Sequence, residues 1–318
     1  MKALTDGVLE NLLQEVSKVV IGRDKEFKIL FTALLTEGHV LIEDVPGTGK
    51  TTMAKAFSKG LDCSFTRIQC TPDLLPADVV GGSIYSPKTN EFYFRKGPVF
   101  TNVLLVDEIN RTLPRTQSSF LECMEERQVT IDGETYPLSS PFIVLATQNS
   151  IEMDGTFSLP EAQLDRFLMR INLGYPSPEE EELMLEQVGD VIPFEAIESK
   201  VDPHQIQALQ AQCKAVHVHP QIRKYITDLA GETRKNPLIS MGVSPRASKA
   251  LYKTVKTWAF LNGRDYAIPD DVKDMIQPVW NHRIILKTEA FINDMKSEEI
   301  LEEIIQNVPI PEEQVVRA

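Results

Sequence analysis

Apolar residues recur at helical spacing over residues 8–20 (Val8, Leu9, Leu12, Leu13, Val16, Val19, Val20), which predicts a helix with one apolar face. Gly22 stops it, and Asp24 is placed to cap a second helix running through Leu35. The pattern then changes to short apolar runs. Val40-Leu41-Ile42, Val103-Leu104-Leu105-Val106 and Phe142-Ile143-Val144-Leu145-Ala146 have no polar face, which fits strands covered on both sides. Ser64–Cys70 alternates with period two, and Leu168–Leu173 reads as a further strand. Between these runs lie helical stretches: one from about Gly49 through Phe57, and one opened by Pro114 that carries Phe120, Leu121 and Met124 on one face. Thr71–Gly82 reads as a short helical turn ending in glycines. Residues 83–95 and 129–138 read as two hairpins, turning at Pro87-Lys88-Thr89-Asn90 and at Asp132-Gly133. The aromatics of the first hairpin either contact a client or pack back on the body.

The composition shifts at Gly174-Tyr175-Pro176-Ser177-Pro178, a stiff connector. The domain boundary is set there, dividing the chain into 1–176 and 177–318. Beyond it the pattern is helical to about residue 285, with no buried-strand run. Candidate helices lie near 204–214, 219–234, 244–262 and 269–277. Asp202-Pro203 and Ser244-Pro245 each pair a capping residue with a proline at the first helical position. The tail, 286–318, reads as an acidic helix followed by a loose terminus.

The chemistry gathers at the ends of the buried runs. Residues 43–52 read Glu43-Asp44-Val45-Pro46-Gly47-Thr48-Gly49-Lys50-Thr51-Thr52, a strand–loop–helix context suited to phosphate. Gly47 and Gly49 let successive N–H groups curl around an anion, and the helix that follows turns its positive end toward the same spot. Lys50 adds a charge for the β- and γ-phosphates, and the Thr51 hydroxyl is placed for Mg²⁺. Asp44 stands where the general phosphate-loop pattern has glycine, and aspartate tolerates left-handed backbone angles. Asp107-Glu108 closes the run 103–108: Asp107 can hold Mg²⁺, and Glu108 can take a proton from an attacking water. Asn149, at the tip of the next run, either bonds that water or the γ-phosphate or serves as a turn residue. Arg166 either pairs with Asp165 or Glu161 on its own surface or reaches a neighbouring subunit's nucleotide. Arg246 sits in the first turn of a helix, where a cation is disfavoured. From there it can reach a phosphate across the domain cleft. Val20 and Ile21, in the joint before the loop, either pack on adenine or form a plain helix–helix turn.

Composition narrows the partners. The chain has 318 residues, 33 Lys+Arg against 46 Asp+Glu, and a net charge of −13. Such a surface argues against nucleic-acid backbone binding and against an anionic membrane. No apolar run approaches the roughly 20 residues of a membrane helix, and no secretory signal is visible. Cys63, Cys70, Cys123 and Cys213 have no C-x-x-C spacing and read as ordinary thiols of a reducing compartment, so a cytoplasmic location is expected. His217-Val218-His219 lacks the further ligands of a metal site.

Taken in order, Glu43–Thr51, Asp107-Glu108-Ile109-Asn110-Arg111, Glu125–Thr130, Ala146-Thr147-Gln148-Asn149 and Leu159–Phe167 resemble the AAA+ ATPases, most closely the MoxR group. The likeness is dense over residues 8–176 and thinner in the lid, through Gly242–Ala247, and it suggests that Asp44 is usual in this group. It implies an α/β, three-layer αβα core with a central parallel sheet, followed by a small all-α lid, with ATP lying between core and lid. It further implies Walker A roles for Lys50 and Thr51, Walker B roles for Asp107 and Glu108, sensor 1 for Asn149, an arginine finger in Arg166, sensor 2 in Arg246, and a subunit-boundary role for Arg111. The two hairpins resemble insertions that face a ring pore or a partner. The implied function is a homo-oligomeric, hexameric, chaperone-like ring that hydrolyses ATP and remodels a protein carrying a von Willebrand factor A domain, in assembly or metal-cofactor insertion. The alternatives are a DNA-linked motor and a nucleotide-gated binding module without turnover. The charge of −13 counts against the first, and the intact Asp107-Glu108 pair against the second.

Overall fold

The computed structural model describes residues 2–43, 45, 47–149, 155–186, 194–198 and 201–311. Asp44, Pro46 and the terminus expected to be loose (312–318) lie outside the described residues. Helices α1 (Lys2–Ser17) and α2 (Asp24–Leu35) precede strand β1 (Val40–Glu43) and helix α3 (Lys50–Gly60). Next come β2 (Phe65–Gln69), α4 (Pro76–Val80), a hairpin of β3 (Gly81–Ser86) and β4 (Glu91–Lys96), β5 (Val103–Asp107) and α5 (Pro114–Glu126). A second hairpin, β6 (Gln128–Ile131) and β7 (Glu134–Pro137), leads to β8 (Ile143–Gln148), α6 (Glu161–Leu164), β9 (Met169–Ile171) and α7 (Pro178–Glu186). The remainder is helical: α8 (Pro203–Ala215), α9 (Pro220–Lys235), α10 (Pro245–Leu261), α11 (Pro269–Trp280), α12 (Thr288–Ile292) and α13 (Ser297–Asn307). A small antiparallel pair, β10 (Ile239–Met241) with β11 (Ile285–Leu286), interrupts it. These strands are too short to show as alternation and are absent from the sequence reading.

The core sheet is parallel, in the order β2-β5-β8-β1-β9. Its apolar runs divide by residue parity. Val40, Ile42, Val103, Leu105, Ile143 and Leu145 face one way, packing with α1, α2 and α3. Leu41, Leu104, Val106, Val144 and Ala146 face the other, packing with Phe120, Leu121 and Met124 of α5. That is the three-layer arrangement, and it explains why the runs have no polar face. The helices after residue 203 extend the first of these layers: α10 packs on α2, α8 and α1.

Two local expectations change. Asp24 is the first residue of α2, not its cap. The cap position is Arg23, which makes no cap bond and instead donates to the Leu173 and Gly174 carbonyls, the latter at 2.8 Å. The aromatics of the first hairpin differ in burial. Phe92 is 73% exposed, and Tyr85 and Tyr93 also face solvent. Phe94 packs back, with ring centroids 4.3 Å from Tyr136 of β7. Ser83 Oγ donates to Asp132 Oδ2 at 2.5 Å, so the two hairpins are joined at two points.

His39, just before β1, is a buried joint. Its Nδ1 accepts from the Val144 N–H at 2.9 Å, and its Nε2 lies 3.0 Å from the Met124 carbonyl. Burial, helped by the nearby Arg127, pushes its pKa down to about 3. Below about pH 6.5 the unfolded chain takes up a proton here that the folded chain refuses, so the contribution is full above that pH and is lost toward pH 3. At pH 5 the site should weaken the fold by about 2 kcal/mol relative to pH 7.5. His39→Gln, which keeps a donor and an acceptor, should lose about that much less stability over the same interval in urea titrations. An identical loss in the parent and the variant would show that His39 titrates normally.

Candidate functional site

Order in the sheet reverses around β1, which lies between β8 and β9. In α/β sheets ligands gather at such a point, beyond the carboxyl ends of the strands. There β1 gives way to the loop that opens α3. Gly47 and Gly49 have φ of 88° and 84°, and no heavy atom lies within 4 Å of where a Cβ would stand on either. The requirement for glycine is therefore conformational, and the cradle stays open. Lys50 is the first residue of α3, and its Nζ donates to the Val45 carbonyl at 2.8 Å. Thr48 Oγ donates to the same carbonyl at 3.3 Å.

The acidic end of β5 is tied to Thr147 of β8. Its hydroxyl donates to Asp107 Oδ1 at 2.6 Å and accepts from the Glu108 N–H at 2.8 Å. Glu108 has φ 58°, a left-handed conformation that is uncommon outside glycine and collects at functional positions. Its Oε2 accepts from Gln69 Nε2 at 2.8 Å and pairs with Arg111 Nε at 3.2 Å. Asp107 Oδ2 accepts from Arg67 through Nε (3.1 Å) and Nη2 (2.6 Å). Asn149 is 7% exposed, and its Oδ1 has no partner. Buried acceptors are rarely left that way.

These groups surround one cavity of about 270 Å³, lined by Gly47–Thr52, Arg67, Gln69, Asp107, Glu108 and Thr147–Asn149. Lys50, Thr51, Thr52, Asp107, Glu108 and Asn149 are thus brought together as the sequence implies. Asp107 and Thr51 give it the hard oxygen donors that Mg²⁺ takes, and Asn149 lines the same space. Asp44 and Pro46 lie outside the described residues. Val20 and Ile21 do not line the cavity. The turn that carries them is tied by Arg23 to the segment after β9.

Arg166 and Arg246 are elsewhere. Arg246 does not reach this chain's own loop, and no residue beyond Asn149 lines that cavity. The expected reach of Arg246 across the cleft to the phosphate loop is not made within this chain. The cause is the packing of α10 on α1 and α2, which aims its N-terminus at the end of α5. Arg246 there lies 3.5 Å from Glu125 Oε1 and 3.7 Å from Asp165 Oδ2. Arg166 Nη1 lies 3.3 Å from Glu125 Oε2. Both arginines line a second cleft with Arg127, Lys249, Lys253 and Arg283. Sequence alone gives Arg67, Gln69 and Thr147 no role and does not show this basic cleft. The only available signal was their position beside recognised strand tips.

Comparison with known proteins shows the family. The family model described as "ATPase family associated with various cellular activities (AAA)" matches residues 39–169, and that for the AAA lid domain matches residues 231–304. The uncharacterized protein YeaC of Bacillus subtilis is 44% identical over 304 residues, covering 96% of this chain and 95% of YeaC. Chaperone MoxR1 of Mycobacterium tuberculosis is 41% identical, covering 96% and 82% respectively. Protein MoxR of Paracoccus denitrificans is 31% identical, covering 84% and 86%. The chain belongs to the MoxR family of AAA+ ATPases. A crystal structure of a candidate ATPase from Cytophaga hutchinsonii superposes on this MoxR-family fold with a TM-score of 0.91 at 39% identity, covering 98% of this chain and 97% of that one.

Within the family site, Thr147 ties the Asp107 carboxylate to the Glu108 backbone. Thr147→Val keeps the shape and removes both bonds. It should lower ATP turnover by about 10–100-fold, the usual cost of losing a partner that orients a site carboxylate, while nucleotide affinity changes little. Turnover equal to the parent's would show that the strand end holds Asp107 and Glu108 unaided.

Proposed function

We propose that this chain hydrolyses ATP and works as a chaperone-like ring. The observation that carries this reading is the convergence of an open glycine loop, Lys50, Asp107, Glu108 and Asn149 on one cavity at the switch point of the sheet. The loop N–H groups and Lys50 bind the triphosphate. Thr51 and Asp107 would hold Mg²⁺, which supplies positive charge to the β- and γ-oxygens. Asn149 orients a water, whose oxygen attacks the γ-phosphorus. The bond to the ADP oxygen breaks, and Glu108 takes the water's proton. Gln69 and Arg111 keep the Glu108 carboxylate in place.

Arg166 and Arg246 act on the nucleotide of the neighbouring protomer. The support is their shared cleft, which has no lining residue in common with the chain's own phosphate-loop cavity. The assembly is a hexameric ring in the cytoplasm, built from an ATPase core (1–176) and a lid (177–318). The hairpins with exposed Tyr85, Phe92 and Tyr93 face the pore or a partner. That partner carries a von Willebrand factor A domain, and the work on it is assembly or metal-cofactor insertion.

Two experiments test this. Glu108→Gln should abolish phosphate release while ATP still binds; unchanged release would remove Glu108 as the base. Lys50→Ala and Arg166→Ala protomers, each silent alone, should regain activity when blended. An arginine of this kind contributes roughly 10³–10⁵-fold. A blend that assembles and stays silent would overturn the shared site.

A further inference from the structure

We propose that Arg283, in the short turn Asn281–Arg283 after α11, is a positioning residue: it holds the segment bearing Arg166, and the carboxylate facing Arg246, in register for a neighbour's nucleotide. This rests on the shared-site reading above and adds to it the residue that aims the donor side.

Helix α6 cannot hold Arg166 by itself. It spans only Glu161–Leu164 and has no buried residue. The support comes from Arg283, whose side chain is 5% exposed. Its Nε donates to Asp165 Oδ1 at 2.6 Å. Its Nη2 donates to the carbonyls of Phe167 (2.6 Å) and Asp165 (3.2 Å), and its Nη1 to that of Leu168 (3.0 Å). A further Nη1 bond, to the Val279 carbonyl, ties the guanidinium to α11. One fork thus grips the chain on both sides of Arg166. His282 adds a contact, its Nε2 lying 3.1 Å from the Phe167 carbonyl.

The same fork reaches the second arginine. Asp165 offers Oδ1 to Arg283, and its Oδ2 lies 3.7 Å from Arg246 Nε. Glu125 then spans Arg246 and Arg166. The order Arg283, Asp165, Arg246, Glu125, Arg166 is a continuous alternation of charge from a buried anchor to two half-exposed ends. Arg283 is desolvated, which lowers its pKa, and only its carboxylate and carbonyl partners offset that cost. A planar fork with several donors makes this contact set; an ammonium cannot. A guanidinium misplaced by about 1 Å can cost on the order of 100-fold in rate, so the anchor governs what the two ends can do.

The test uses full-length protomers in blends. Arg166→Ala protomers supply intact phosphate loops, and Lys50→Ala protomers supply arginines. Arg283→Lys or Arg283→Gln is added to the Lys50→Ala donor. The regained kcat should fall about 10- to 100-fold, while KM for ATP, set by the acceptor's own loop, stays within about twofold, with the same assembly by sedimentation. Arg283→Lys retains the charge and decides the matter where Arg283→Gln fails to fold. A donor carrying either variant that restores activity as fully as Lys50→Ala alone overturns the proposal. So does a loss that merely tracks lost assembly. If the two simple variants do not complement each other at all, the shared site falls first, and this proposal with it.

Discussion

The parallel pairing of β1 with β8, from Val40↔Leu145 to Glu43↔Gln148, is the constraint on which the site depends. It ends both strands at the same level, so the phosphate loop leaves β1 beside Thr147 and Asn149. The neighbouring pairing of β8 with β5 sets Asp107 and Glu108 within reach of Thr147. A shift of one residue would turn Thr147 to the opposite face of the sheet, and the Asp107 carboxylate and the Glu108 N–H would lose their common partner. The alternating apolar residues of the three strands fix the register by burying each face in its own core.

Where the local pattern carried the information, it was legible in the sequence. The glycine loop and the acidic strand end announce themselves by residue type and position. So do the two-residue turn of the second hairpin, where Asp132 and Gly133 both take positive φ, and the Asp202 and Ser244 caps, whose side chains accept from His204 and Ala247. What sequence could not supply was the meeting of distant segments. Arg67 and Gln69 look like ordinary polar positions of an alternating strand until β2 is laid beside β5. The strand pair β10–β11 is too short to leave a period. The site of Arg246 depends on which layer α10 joins, and helix amphipathicity gives the buried face without naming the surface it meets.

The charge distribution has the same origin. The chain is acidic as a whole, at −13, yet one cleft gathers Arg127, Arg166, Lys249, Lys253, Arg246 and Arg283 around Glu125, Asp165 and Glu37. Tertiary packing, and not local composition, concentrates that positive charge, because the contributors come from four separate stretches of chain. The thiols are by contrast quiet: burial pushes Cys63, Cys70, Cys123 and Cys213 up to about 12, so none is a ready nucleophile.

The phosphate-loop cavity and the arginine cleft have no lining residue in common, and this bears on symmetry. A twofold axis can set each cleft on the partner's loop only if both lie on one self-complementary patch, residue i meeting j and j meeting i. Where they lie on different faces, those unlike faces must meet, head to tail, each copy giving once and receiving once. Such a contact either closes after a whole number of copies or winds on as a helix, and only the rotation per step decides which.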